Sequence, residues 1–241
     1  MPQIKIVVPS AGRWDSVLTD VDNMILCVPK NEVEKYKKFN DCEIIGHEPL
    51  KNLAAKRNFI LNKFGEVFQL DDDCQSFERV YISKNQKMSP SATYKQVQEL
   101  YYQAKAIDAK LFGFSEDPSP IHYNPYKPFM LKGMSGGGAY GILENSGLYF
   151  TELTTACDSH FVNLLNAFKN RYCLVDTRFV FRHVDTFKGN GGQALKRTLE
   201  TEKQDCLYLR SIFGEAVELR KNDKKGAKQN HQYQRKIKVK W

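Results

Sequence analysis

At 241 residues with 41% hydrophobic content, the chain can bury a substantial core as one α/β unit. Met1-Pro2-Gln3 leads straight into the apolar run Ile4–Val8, too short for a signal peptide, and no stretch approaches the ~18 consecutive apolar residues of a membrane span; a soluble, cytoplasmic protein without a membrane partner is expected. The net charge of +8 resides entirely in residues 220–241, which hold nine Lys or Arg and one Asp, while the other 27 basic and 27 acidic residues cancel.

In chain order, IKIVVP (4–9) and MILCV (24–28) predict strands, the first nearly all β-branched, as in a sheet covered on both faces. SAGRWDS between them is a turn-rich loop. NEVEKYKKFN (31–40) has helical spacing and CEIIG (42–46) is a third strand, a βαβ-like order. Lys51–Phe64 places Leu53, Ala54, Phe59, Ile60, Leu61 and Phe64 on a broad apolar face, with Gly65 as C-cap. EVFQL (66–70) then predicts a strand that runs into Asp71, Asp72 and Asp73. Ser91–Ala109 is a predicted helix and KLFGFS (110–115) a strand. Four prolines in DPSPIHYNPYKPF (117–129) exclude regular structure and suggest a loop over a site or an edge. MLKGMSGGGAYGIL pairs a glycine cluster with a strand, ACDSHFVNLLNAFKN (156–170) is a helix, RYCLVDT and RFVFRH are two short strands, and GGQALKRTLETEKQDCLYLRSIFG (191–214) is a long closing helix. No internal repeat is present. Cys27, Cys42, Cys74, Cys157, Cys173 and Cys206 lack CxxC spacing, so reduced and mostly buried thiols are expected instead of a zinc or disulfide framework.

The acid triplet is the first place with chemistry. Ligands of open α/β sheets bind beyond the carboxyl ends of strands, and three carboxylates that close repel one another unless a cation lies between them. A divalent metal explains them economically, Mg²⁺ or Mn²⁺ suiting oxygen ligands that share a phosphate. The alternative is a helix N-cap or an Asx-turn, which needs one or two Asp. Upstream, Lys56, Arg57 and Asn58 interrupt an apolar helix; cations beside a metal suggest phosphate oxygens, whereas surface solvation is the competing explanation, favoured for Lys56. In the second half, SGGGAYG lets backbone approach a ligand, Asp158 opens an apolar helix either as a cap or as an active acid, and His183 ends a strand where a metal site with two carboxylates has room for an imidazole. The basic tail is either a solubilising terminus or a contact to a phosphate backbone, with Tyr233 and Trp241 able to stack on bases.

The run KRNFILNKFGEVFQLDDD resembles the signature of nucleotide-sugar glycosyltransferases of the GT-A fold: a helix with an Arg-Asn pair, a glycine, a strand and a DxD-type motif. Gly136–Tyr140, Asp158 and His183 agree with that order. More narrowly, VVPSAGRWDS, DDDC, the late FRH and the closing GGQALKRTLETEKQDCLYLRSIFG are similar to the TET-associated glycosyltransferases of DNA viruses, over roughly residues 4–214. The chain departs from the wider GT-A pattern at CDSH, where many members carry a Glu-Asp pair. The resemblance implies a GT-A type, Rossmann-like mixed sheet flanked by helices over residues 1–219, followed by the basic tail 220–241. It implies sugar transfer from a nucleotide-sugar, read as a UDP-sugar, to 5-hydroxymethylpyrimidine in DNA, such as 5-hydroxymethylcytosine, with Mn²⁺ or Mg²⁺ as cofactor. Pro9, Ser10, Gly12 and Arg13 would hold base and ribose, with Gly137 and Gly138 also lining the donor. Asp71, Asp73 and His183 would hold the metal and Asp72 would face ribose or donor sugar, the choice among the three acids remaining open. Arg57 would stabilise the leaving diphosphate, and Asp158 would take the acceptor's proton. The rival readings are a GT-A transferase with a glycan, lipid or protein acceptor, and a non-catalytic DNA-binding module whose acids cap a helix. A sugar-nucleotide pyrophosphorylase fits poorly, because PSAGRWDS lacks the expected lysine-containing glycine loop.

Overall fold

A computed structural model describes residues 2–132, 137–155, 157–184, 198–219 and 235–237. Strands β1 (Lys5–Pro9), β2 (Met24–Pro29), β3 (Glu43–His47) and β4 (Val67–Leu70) lie parallel in the order β3-β2-β1-β4. Helices α1 (Val33–Phe39) and α2 (Leu53–Phe64) make the crossovers before β3 and β4, the connection that parallel neighbours require. The chain continues through β5 (Cys74–Arg79), β6 (Gln86–Lys87), α3 (Pro90–Ala106), β7 (Leu111–Ser115), β8 (Phe129–Met130), β9 (Ala139–Ile142), α4 (Asp158–Asn170) and β10 (Leu174–His183). Antiparallel β9 joins β4 to β7, and β10 runs parallel to β7 and antiparallel to β5 and β8. One mixed sheet of ten strands results, in the order β3-β2-β1-β4-β9-β7-β10-β5-β6 with β8 beside β10. This is the helix-flanked mixed sheet expected of a GT-A type fold.

Both faces of the sheet are covered, which is why β1 reads as an unbroken apolar run. Ile4, Ile6 and Val8 point to one face, against Tyr36 of α1 and Val97, Leu100 and Tyr101 of α3. Val7 points to the other, in a cluster with Ile60 of α2, Val162 of α4 and Leu209 of α5 (Leu199–Phe213). Each such buried aliphatic side chain contributes roughly 1.5–3 kcal/mol. Ser89 starts α3 by accepting from Ala92 N, ahead of Pro90 in the first turn. In the middle of the sheet, Gly141 of β9 faces Phe112 of β7 across the ladder. A Cβ there would lie 2.0 Å from the Phe112 ring, so only glycine lets that ring lie flat on the neighbouring strand.

Three elements differ from the sequence expectation. RYCLVDT and RFVFRH form one strand, β10, of ten residues. Asp176 is buried within it and its carboxylate takes three donors from Arg178, the backbone N, Nε and Nη2, so the polar DTR step that resembles a turn is a bulge stabilised from inside. The acids lead into a strand, β5, whose irregular burial hides its period of two. Within 191–214 the described helix is Leu199–Phe213, opened by a Thr198/Thr201 capping box; residues 191–197 lie outside the described residues. So does the basic tail apart from Arg235–Ile237, which pairs as β12 with β11 (Val217–Leu219). None of the six cysteines is in a disulfide, and all but Cys42 are buried. Among the described residues no helix is long and apolar enough to cross a membrane.

Candidate active site

From β1 the chain goes to β2 and β3 on one side and then to β4 on the other. The carboxyl ends of β1 and β4 therefore flank a topological switch point, where open α/β sheets bind ligands. A cleft of about 1890 Å³ lies there, lined from one side by Pro9, Ser10, Gly12 and Arg13 and from the other by Asp71, Asp72 and Asp73.

The acids form the turn from β4 into β5, so a helix cap does not explain them. Their backbone is pinned on several sides. Asp71 N donates to Gly138 O at 2.8 Å, Leu18 N to Asp72 O at 3.0 Å and Val184 N to Asp73 O at 3.1 Å. Thr19 Oγ1 donates to Asp71 O and accepts from Cys74 N. Each carboxylate also has its own cation: Arg57 Nη2 on Asp71 at 2.6 Å, Arg13 Nη1 on Asp72 at 2.7 Å, and His183 Nδ1 on Asp73 at 3.2 Å. The coexistence of three acids is thus partly neutralised by the protein itself.

A metal seat is supported by convergence. One ligand atom each from Asp71, Asp73 and His183 lies within 4.8 Å of the others. Donors on one octahedral ion at about 2.1 Å sit roughly 3–4 Å apart, so the set closes if Asp73 and His183 move toward Asp71, whose other oxygen Arg57 holds. The backbone leaves room for it: a Cβ on Gly138 would lie 2.5 Å from Asp71 Oδ2 and 3.0 Å from His183 Cε1. Two carboxylates and an imidazole suit Mn²⁺ better than Mg²⁺. Burial pushes the Asp71 carboxyl up, against the pull of Arg57 and His183, and burial raises Asp72 against Ser10 and Arg13. At Asp73 burial also acts upward, but the hydrogen bond and charge of His183 and the charge of Arg13 bring it below the usual range. Burial would lower His183; the hydrogen bond to Asp73 and the charges of Asp71 and Asp73 raise it instead.

Beneath the seat, Arg57 is 1% exposed. Its Nε donates to Asp158 Oδ2 and its Nη2 to Asp71 Oδ1, both at 2.6 Å, and its guanidinium lies 5.4 Å from the Tyr140 ring centre. This fork ties the end of β4 to the first turn of α4. Asp158 is the first residue of α4 and the preceding Cys157 makes no side-chain cap, so the Asp158 carboxylate is directed to Arg57 and not to helix capping. The base-and-ribose loop is equally built. Ser10 Oγ donates to Asp72 Oδ2 and meets Tyr36 Oη at 2.7 Å. The Arg13 N–H donates to Tyr36 Oη, and Gly12, with φ +67°, donates its N–H to Glu32 Oε2. Lys56, favoured from sequence as a surface residue, is buried and donates from Nζ to the Ser10 carbonyl at 2.7 Å. Burial lowers its pKa.

The structure therefore brings Pro9, Ser10, Gly12, Arg13, Arg57, Asp71, Asp72, Asp73, Gly137, Gly138, Asp158 and His183 to one cleft. Tyr36, Thr19 and Tyr140 belong to the same constellation and carry no sequence signal beyond apolar periodicity. For Lys56 the signal was present, a second cation beside Arg57 inside an apolar helix.

A Rossmann-like half-sheet with a clustered acidic seat at its switch point is the build of a GT-A type glycosyltransferase. The chain belongs to the TET-associated glycosyltransferase family, whose model matches residues 4–136. Among solved structures, S. aureus TarS (residues 1–349) is similar over 88% of this chain and 73% of that chain, at 10% identity and TM-score 0.49. CMP:2-keto-3-deoxy-manno-octonic acid synthetase complexed with CTP is similar over 87% of this chain and 100% of that chain, at 13% identity and TM-score 0.41. No curated protein matches.

Proposed function

We propose that this glycosyltransferase moves a sugar from a nucleotide-sugar, read as a UDP-sugar, to the hydroxyl of a 5-hydroxymethylpyrimidine in DNA, with Mn²⁺ or Mg²⁺ held by Asp71, Asp73 and His183. The observation that carries the donor half is the convergence of those three side chains at the switch-point cleft; membership of the family supports the DNA acceptor. Bound there, the ion would neutralise charge on the leaving diphosphate. The chain's own residues do the rest. Pro9, Ser10, Gly12 and Arg13 form the wall for base and ribose. Asp72, fixed by Ser10 and Arg13, orders that wall. Gly137 and Gly138 allow the donor close to the backbone. Arg57, buried with two carboxylates, acts through Asp71 and Asp158 and holds the donor and acceptor sides at a fixed spacing. The basic tail, residues 220–241, supplies the affinity for a polyanionic duplex that an otherwise neutral chain lacks.

Mass spectrometry of nucleosides after incubation of hydroxymethylated and plain DNA with a panel of sugar nucleotides and Mn²⁺ tests the reading. The mass of one transferred sugar, added only to the hydroxymethylated base, is expected. Mn²⁺-dependent hydrolysis of a sugar nucleotide without any DNA product would transfer the acceptor to a glycan, lipid or protein, and absence of any metal-dependent UDP binding would remove the donor reading as well.

A further inference from the structure

The geometry points to Glu116 as the group that takes the proton from the acceptor hydroxyl, with Asp158 as a positioning residue for Arg57. The assignment rests on the glycosyltransferase reading of the same cleft. A general base needs a carboxylate within reach of the acceptor that is not neutralised by a cation, and the carboxylates after β4 and at the start of α4 are paired with cations. Asp71 and Asp158 are held by Arg57, Asp72 by Arg13, and Asp73 by His183. Glu48 pairs with Lys30, and Glu32 accepts the N–H of Gly12. Glu152 lines the cleft with its carboxylate also unpaired among the described residues, but it stands by the N-terminus of α2, where its backbone carbonyl accepts from Asn52 Nδ2, and it is Glu116, not Glu152, that lies against Gly137. Glu116 has no hydrogen-bond or ion-pair partner among the described residues, and it follows directly on the carboxyl end of β7.

Its position relative to the metal seat is set by the two glycines. A Cβ on Gly137 would lie 3.6 Å from Glu116 Oε1, and one on Gly138 would lie 2.5 Å from Asp71 Oδ2. The Glu116 carboxylate and the seat thus border consecutive glycines of one segment and line the same cleft. A sugar held by its diphosphate at the seat would enter the cleft that Glu116 lines. Glu116 is open to the cleft, yet the surrounding walls desolvate it and raise its proton affinity above that of an ordinary glutamate. That is the direction a base working near neutral pH requires.

The step balances without a further reactant. Glu116 removes the hydroxyl proton as the oxygen forms its bond to the anomeric carbon, and the bond from that carbon to the β-phosphate oxygen breaks, releasing the nucleoside diphosphate. A single displacement of this kind inverts the anomeric configuration.

The test compares full-length wild type, Glu116→Gln and Asp158→Asn, each with Mn²⁺ and the active sugar nucleotide, by transfer to hydroxymethylated DNA and by donor hydrolysis without DNA. Glu116→Gln is expected to lose about 100-fold or more in kcat for both, with donor KM, Mn²⁺-dependent UDP binding and Tm unchanged. Asp158→Asn is expected to lower Tm and weaken Mn²⁺–UDP binding. Should wild type hydrolyse the donor but leave DNA unmodified, the acceptor reading fails, while loss of hydrolysis in Glu116→Gln still upholds this assignment. Wild-type kcat in Glu116→Gln, loss of UDP binding in that variant, or a product of retained configuration would each overturn it.

Discussion

Replacing Gly138 by alanine probes the metal seat at its tightest point. The new methyl would stand 2.5 Å from Asp71 Oδ2, 3.0 Å from Asp71 Cγ and 3.0 Å from His183 Cε1, where ordinary contacts begin at 3.4 Å. Relief requires the carboxylate oxygen to retreat by nearly 1 Å. It has little freedom to do so, because Asp71 Oδ1 is fixed by Arg57 Nη2 at 2.6 Å and Arg57 is itself buried and tied to Asp158. Metal–ligand distances tolerate only about 0.2 Å, so the shift removes Asp71 from the ligand set. Gly138 does not lie in the left-handed region, which keeps backbone strain out of the effect. Mn²⁺ affinity in the presence of UDP is expected to fall about 10–100-fold, and the free protein to lose about 1–3 kcal/mol through overpacking. Calorimetric titration of Mn²⁺ into protein and UDP measures the first quantity and urea unfolding the second. An alanine variant with wild-type Mn²⁺ affinity would refute Asp71 as a ligand and with it the seat.

Other perturbations follow from the same geometry. Arg57→Met leaves Asp71 and Asp158 without their shared cation; because both carboxylates keep some access to solvent, the loss is expected to fall below the roughly 3–5 kcal/mol of a fully buried pair, read as a lower urea midpoint, and a midpoint equal to wild type would show the fork to be idle. In metal-free protein the raised His183 pKa means that its pairing with Asp73 stabilises fully below the unfolded imidazole value of about 6.5 and is lost as pH rises through the higher folded value. Mn²⁺ needs the neutral imidazole, so Mn²⁺ affinity should strengthen over that same rise, and His183→Gln should flatten the profile; an unchanged profile in the variant excludes His183 as a ligand. Replacing Lys221, Lys224, Lys225 and Lys228 by Ser should weaken DNA binding and reduce its dependence on salt, by about 0.9 in slope for each phosphate no longer neutralised, while donor hydrolysis stays at the wild-type rate. Equal salt slopes would assign the tail to solubility alone.

What the sequence disclosed and what it concealed divide along a physical line. Local periodicity carried the strands of the parallel half: in Ile4–Pro9 only Lys5 at the entry is polar, Ile4, Ile6 and Val8 face one side and Val7 the other, and both faces are covered. It carried Asp71–Asp73 as well, because three adjacent acids at a strand end are legible without any partner. Periodicity could not say where β5 and β10 pair, since their register depends on residues about a hundred positions apart, such as Ser76 against Arg182. Nor could it show that Asp158 answers to Arg57 across 101 residues; from sequence alone Asp158 was equally a helix cap. Glu116 was invisible for the opposite reason. A Glu-Asp pair before a proline-rich loop has the pattern of any solvated turn, and the interest of Glu116 arises only when Asp71, Asp72, Asp73 and Asp158 are found paired with cations. In this fold the buried guanidinium that makes Asp71 and Asp158 conspicuous also restrains them, and the proton acceptor is sought at a cleft carboxylate that no cation among the described residues neutralises.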